Sequence, residues 1–239
     1  MKHSEAYLTE MGLWPIYRHK TGSTMDVAPA AVPANLPIAK FNSDDGSSAV
    51  QQMDWAELKS TVKECRACPL RGGCTQTVFG VGDENADWLF VGEGPGSEED
   101  QRGEPFVGQA GRLLDNMFAA LDLKRGNNVY IANVVKCRPP GNRNPEADEA
   151  AACEPYLARQ IELIKPKLIV ALGKVAAANL LSTDAPIGAL RGKVHHYRDI
   201  PLIATYHPAY LLRTLPDKAK AWADLVFARR TMSQNIPKM

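Results

Sequence analysis

Five cysteines occur in the chain of 239 residues, and the spacing of four of them carries chemical meaning. Cys65 and Cys68 form a C-x-x-C pair, which lets two thiolates on one turn reach one metal. Cys137 and Cys153 follow 68 residues later, with 15 residues between them. Four thiolates suit zinc or an iron–sulfur cluster. They also fit four unrelated buried cysteines, because only the fold can bring the two pairs together. Cys74 fits no simple closed site and reads as a free thiol.

A second group of residues lies where predicted strands end. Gly92-Glu93-Gly94-Pro95-Gly96 follows the apolar run Trp88–Val91. It departs from G-x-G-x-x-G, and Pro95 stiffens it, so a phosphate cradle is a weak reading, and close approach of backbone to a planar ligand fits as well. Phe106 stands beside glycines, where a ring packs in the core or stacks on a base. Asn133, the Gly173-Lys174 step and His207-Pro208 close three more strands. A lone histidine is most often structural. One at a strand's carboxyl end, followed by a rigid proline, two leucines and an arginine, suits catalysis.

The elements that must position these groups follow from periodicity. Asp54 caps a helix through about Glu64. Helical spacing runs through Leu113, Leu114, Met117, Phe118 and Leu121, and a long helix spans Glu146 to Ile164, stopped by Pro166. Strands are predicted at 88–91, 129–135, 168–172, 193–197 and 202–205, with a last helix over 215–230. Strands alternating with helices imply an α/β fold with a mainly parallel sheet covered on both faces. Ligands of such sheets lie beyond the carboxyl ends of the strands, where the glycines, Glu93, Asn133 and His207 gather.

Composition bounds the rest. The chain is 45% hydrophobic and 23% charged, which is ordinary for a globular domain with extensions. No apolar run approaches the roughly 20 residues of a membrane span, and the N-terminus carries no secretory pattern. A cytoplasmic location, of the bacterial cytosol and nucleoid type, is expected, where thiols stay reduced. Net charge is +1, but it is unevenly spread. Asp83–Glu104 holds eight acidic residues against one basic, and Pro186–Met239 nine basic against three acidic. A basic C-terminal part can meet phosphates or simply be a solvated surface. Residues 1–50 read as an extension with an Ala/Pro-rich linker, largely disordered, whose first twenty residues form a tail or a short docking helix. Residues 51–239 form the domain, expected to be a monomer.

Several blocks, in order, resemble the uracil-DNA glycosylase superfamily, above all its family 4, the iron–sulfur enzymes. They are C-x-x-C-P-L from Cys65, GEGPG followed by Glu98-Glu99-Asp100, EPFVGQAG, NVVKCRPP from Asn133, the Asn142-Arg143-Asn144-Pro145 turn, Cys153-Glu154-Pro155-Tyr156-Leu157, and HPAYLLR from His207. The match runs from about Cys65 to Arg230. It implies a three-layer sandwich with a short, mainly parallel central sheet flanked by helices. It also implies a repair enzyme that hydrolyses the N-glycosidic bond of deoxyuridine in single- or double-stranded DNA.

The resemblance also implies residue roles. Cys65, Cys68, Cys137 and Cys153 would hold one structural [4Fe–4S] cluster, leaving Cys74 aside. Phe106 would stack on uracil, and Asn133 would read its O4 and N3–H edge. The backbone at Gly94 would add contacts, and Glu93 would brace the loop. His207 would donate to uracil O2 as negative charge builds there. Some superfamily members place an aspartate where Gly94 stands, so water positioning falls to Asn142 or Glu99, the latter otherwise a helper of loop geometry. Leu211 and Leu212 would wedge into the space left by the flipped base, or pack as a buried pair. Arg213 and Lys174 would meet DNA. The alternative is a non-catalytic metal-cysteine nucleic-acid-binding module. An enzyme forming a covalent adduct with DNA would need a histidine in RPPGNRNP, which has none.

Overall fold

The computed structural model describes residues 47–235, so the tail and linker expectations at 1–46 lie outside the described residues. Helix α1 (Ser47–Val50) falls on the N-terminal side of the boundary drawn at 51, and Val50 is buried in the core. Helix α2 (Trp55–Glu64) starts as expected: the Asp54 side chain accepts from Glu57 N–H, and Glu57 returns a bond to the Asp54 amide. This reciprocal cap satisfies two donors that the first turn leaves open.

Six strands form one sheet in the order β1-β3-β2-β4-β6-β5. They are β1 (Val81–Gly82), β2 (Trp88–Gly92), β3 (Val129–Asn133), β4 (Leu168–Leu172), β5 (His195–Tyr197) and β6 (Ile200–Thr205). The central four are parallel, and the edge strands β1 and β5 are antiparallel. Every residue of β2, β3 and β4 is buried, which explains their unbroken apolar runs. The antiparallel edge strand β1 is two residues long, too short for period-2 alternation to reveal.

Helices cover both faces. One layer holds α2, α5 (Ala147–Ile164) and α6 (Lys174–Leu181), packed on Leu89, Val91, Tyr130 and Ile169. The other holds α4 (Gln109–Ala119) and α9 (Lys218–Asn235), packed on Phe90, Ile131, Val170 and Ile203. The expected three-layer sandwich is therefore the observed architecture. Besides α1, three short helices escaped the periodicity argument: α3 (Ser97–Arg102), α7 (Ile187–Leu190) and α8 (Pro208–Arg213). Each has six residues or fewer, too short to repeat an apolar face. Among the described residues no helix is long and apolar enough to cross a membrane.

From β2 the chain turns to β3 on one side, then crosses back to β4 on the other. The order thus reverses at β2, which opens a crevice beyond its carboxyl end. Gly92 and Asn133 are the last aligned pair of the β2–β3 ladder, so both stand at that opening.

Candidate active site

One cleft at this opening brings together Glu93, Gly94, Glu99, Phe106, Asn133 and His207, with Asn142, Lys174 and Arg213 also in its walls. Asn133 is 2% exposed, and its Oδ1 is the buried side-chain oxygen without a hydrogen-bond partner among the described residues. An unpaired buried acceptor costs about 1–3 kcal/mol, so its survival needs a reason. Gly92 makes room for it: a Cβ there would lie 2.5 Å from Asn133 Oδ1 and 2.6 Å from the Phe106 ring. Asn133 and Phe106 therefore border the same spot.

Phe106 adopts φ +55°, a region that non-glycine residues avoid. The strain is held from two directions. Glu99 Oε1 accepts from Val107 N at 2.9 Å and Gly108 N at 3.1 Å, and its Oε2 accepts from Gly96 N at 3.1 Å. Arg125 donates to Pro105 O at 2.9 Å and Phe106 O at 2.8 Å. Glu99 thus spends both oxygens joining the GEGPG turn to the Phe106 loop. This corrects Glu99 as a water-positioning residue: it is the loop brace.

The brace was expected of Glu93, and here too the structure differs. The Glu93 carboxylate has no hydrogen-bond partner among the described residues and faces the cleft. Burial pushes its pKa up from the usual carboxylate value. The two glutamates exchange roles because Glu99, at the third position of α3, points back at the amides before that helix. Glu93 follows β2 directly and has no such amides to meet.

His207 closes β6 and caps α8. Its Nδ1 accepts from Ala209 N at 3.1 Å, which leaves the proton of the neutral ring on Nε2. Burial and the charge of Arg213 lower its pKa to about 4, against a smaller upward pull from Glu99. His207 is therefore a neutral donor at pH 7. Its ring lies 5.4 Å from that of Phe106, inclined by 29°. Gly173, at φ +93°, permits this placement: a Cβ there would stand 2.9 Å from His207 Cβ.

The rim holds the remaining polar candidates. Lys174 and Arg213 are exposed, as a phosphate contact requires. Asn142 is exposed at φ +56°, in a turn pinned by Arg143, which grips the buried Glu149 through bonds of 2.8 and 2.7 Å. Asn142 Oδ1, the atom that would accept from a water, already accepts from Arg138 Nε at 2.8 Å. The leucine pair divides. Leu211 is fully buried between α8 and α4, which corrects it as a wedge, whereas Leu212 is 37% exposed. Leu215, which the sequence reading passed over, is 55% exposed two residues beyond Arg213.

Behind this cleft, Cys65, Cys68, Cys137 and Cys153 line one largely apolar cavity with Tyr156 and Lys136. Cys74 lies against Cys137 but does not line the cavity. The sulfurs have donors: Tyr156 Oη to Cys65 Sγ at 3.3 Å, and Lys136 N to Cys153 Sγ at 3.3 Å. Burial raises the pKa of Cys68 and of Cys137, and that of Cys153 to about 11. Among the described residues, no three Cys, His, Asp or Glu side chains close on a point as one metal ion requires. Four thiols around a shared cavity match the donor set of a multi-iron group, whose ligands stand further apart. Lys136 itself is the residue that sequence reading missed most completely. It is 1% exposed, and burial lowers its pKa to about 8. Nothing in one sequence separates a buried lysine from an exposed one.

Residues 79–226 match the profile of the uracil DNA glycosylase superfamily. The chain is 46% identical over 164 residues to a type-4 uracil-DNA glycosylase of Archaeoglobus fulgidus, covering 65% of this chain and 82% of that protein. It is 47% identical over 158 residues to a type-4 enzyme of Thermotoga maritima, with the same 65% and 82% coverage. A type-5 uracil-DNA glycosylase of Pyrobaculum aerophilum is 33% identical over 171 residues, covering 64% of this chain and 74% of that protein.

Proposed function

The chain belongs to the uracil-DNA glycosylase superfamily, in its type-4 branch, and is a DNA-repair glycosylase acting on uracil in DNA; we propose that the cleft built on Asn133, Phe106 and His207 performs the reaction. The unpaired Oδ1 of Asn133 is the observation that carries this reading. The glycosidic bond is out of reach inside the stack, so the nucleotide must leave the helix. Its uracil stacks on Phe106. Asn133 accepts from N3–H and donates to O4. Cytosine lacks the N3 proton and carries an amino group at position 4, so it meets Asn133 with mismatched groups. Sites that hydrogen-bond their substrate reject such analogues strongly.

As C1′–N1 breaks, the bonding pair passes to uracil and its charge builds on O2. His207 Nε2–H donates there. A donor aimed at charge that develops only in the transition state is worth about 3 kcal/mol. Being neutral already, His207 gives a hydrogen bond without surrendering its proton. Water adds to C1′, and the proton it loses ends on the departing uracil anion, leaving an abasic site and free uracil. The unpartnered Glu93 carboxylate is the group suited to orient that water, since Asn142, at the rim, already gives its Oδ1 to Arg138. Leu212 and Leu215 fill the vacated stack, and Lys174 and Arg213 hold the backbone.

Cys65, Cys68, Cys137 and Cys153 would hold a [4Fe–4S] cluster. When bound, that group supplies a rigid cross-link between the Cys65–Cys68 loop, the segment after β3 and α5. Five cysteines without a disulfide suit a reducing cytosol. Incubation with a single-uracil oligonucleotide, then alkali, cleaves at the abasic site. Intact oligonucleotide in both single- and double-stranded form refutes the reading.

A further inference from the structure

We propose that Lys136 is a positioning residue: it locks Asn133 in register for uracil from behind, and sets its charge against the cysteine site. This rests on the glycosylase reading of the cleft. Lys136 points away from the cleft into the dry layer between β3 and α5. Its amine donates to Asn133 O at 2.9 Å and to Gln160 Oε1 at 2.6 Å. Gln160 is 0% exposed and is itself anchored, donating to Phe79 O at 3.0 Å. The main-chain N–H of Lys136 meets Cys153 Sγ at 3.3 Å, and Cys137 is its neighbour in sequence. One residue therefore touches both the strand end that presents the base-reading amide and the sulfur set.

Two arguments assign it this role. A cation in a dry interior is costly without an opposite charge. Among the described residues the Lys136 amine bonds a carbonyl and an amide oxygen and no carboxylate, and the sulfur of Cys153 stands at its main-chain N–H. Thiolates holding a metal there would supply the balancing charge. Secondly, Asn133 ends its strand, so the next turn of backbone decides where its amide aims. Its carbonyl is the acceptor for the Lys136 amine. Hydrogen bonds to charged groups are the stronger kind, and losing one loosens what it orients.

The test uses cluster-loaded, full-length protein. Lys136→Met keeps length and apolar volume, while Gln160→Glu places a carboxylate on the amine and leaves the amine's bond to Asn133 intact, giving up only the Gln160 bond to Phe79 O. Free uracil is titrated by calorimetry, and the cluster's midpoint potential is followed by its visible absorption. K136M weakens uracil binding about tenfold or more and moves the potential to more negative values, because a nearby cation no longer favours the added electron. Q160E moves the potential the same way and leaves uracil binding within about twofold of wild type. An unchanged potential in Q160E overturns the proposal even if K136M does not accumulate. Equal loss of uracil binding in both variants also overturns it, since that is what a merely structural network gives. Wild-type protein that releases no uracil from DNA instead overturns the reading of the cleft.

Discussion

Replacing Asn133 with leucine separates function from stability with opposite signs. In the free protein Asn133 Oδ1 is buried and unpaired, at a cost of about 1–3 kcal/mol. Leucine has the same branching and heavy-atom count, is bulkier and has no polar atom, so the variant sheds that cost. Some of the gain is spent fitting the branched chain against Phe106 and Gly92, where space is tight. A net stabilisation of about 1 kcal/mol remains, which raises Tm by roughly 2–4 °C in a domain of this size. Uracil, by contrast, loses both partners. Its N3–H and O4 enter the cleft unpaired, and the loss is about 4 kcal/mol in the transition state, near a thousandfold in kcat/KM. Thermal melts with and without free uracil, and single-turnover uracil release, read both quantities. Free uracil stabilises the wild type and not the variant. A variant that keeps activity, or that loses several kcal/mol of stability, refutes the claim that Asn133 holds an unspent acceptor for substrate.

Two further outcomes follow from the same geometry. His207 is neutral in the folded protein down to a pKa of about 4, while in the unfolded chain it titrates near the ordinary 6.5. Between these values the unfolded state binds more protons, so stability is full above pH 6.5 and falls by about 3 kcal/mol toward pH 4. His207→Gln flattens that slope in pH-dependent denaturation, and lowers kcat by about a hundredfold or more. The wild-type rate carries no His207 inflection near pH 6.5. Leu211→Ala costs about 2–5 kcal/mol of stability, as a cavity in a packed core does. Leu212→Ala and Leu215→Ala leave melts unchanged and slow uracil release from duplex more than from single strands, since only a duplex has a stack to refill. Parallel melts and release assays on both substrates check this.

The sequence carried the sheet because its central strands are buried on both faces and spell apolar runs. It carried the location of the site because a parallel sheet has one functional edge. Asn133 and His207 were legible there as strand-end candidates and Phe106 as a ring beside glycines, while their roles toward a base came only through the family resemblance. The four cysteines were legible as two pairs, and as one set only through family resemblance. What stayed hidden depends on direction. Leu211 and Leu212 are adjacent leucines on a six-residue helix, and only packing against α4 decides which one faces inward.

The exchange between Glu93 and Glu99 shows why such directions matter for chemistry. Both are acidic residues near the same glycine-rich turn, and charge alone cannot rank them. Backbone geometry does. Glu99 sits one turn into α3, where three amides, from Gly96, Val107 and Gly108, are within reach of its two oxygens. A carboxylate so saturated has little capacity left for water, but it fixes the loop that holds Phe106 at positive φ. Glu93 has capacity and no partner, and sits in the cleft wall at the end of β2. The same logic links the two ends of the site. Asn133 leaves its side-chain oxygen unpaired at the cleft while its carbonyl, behind, is held by Lys136. Substrate-facing groups can stay unpaired only where the atoms that support them are paired. That division locates the reactive surface more sharply than the chemical identity of any one residue.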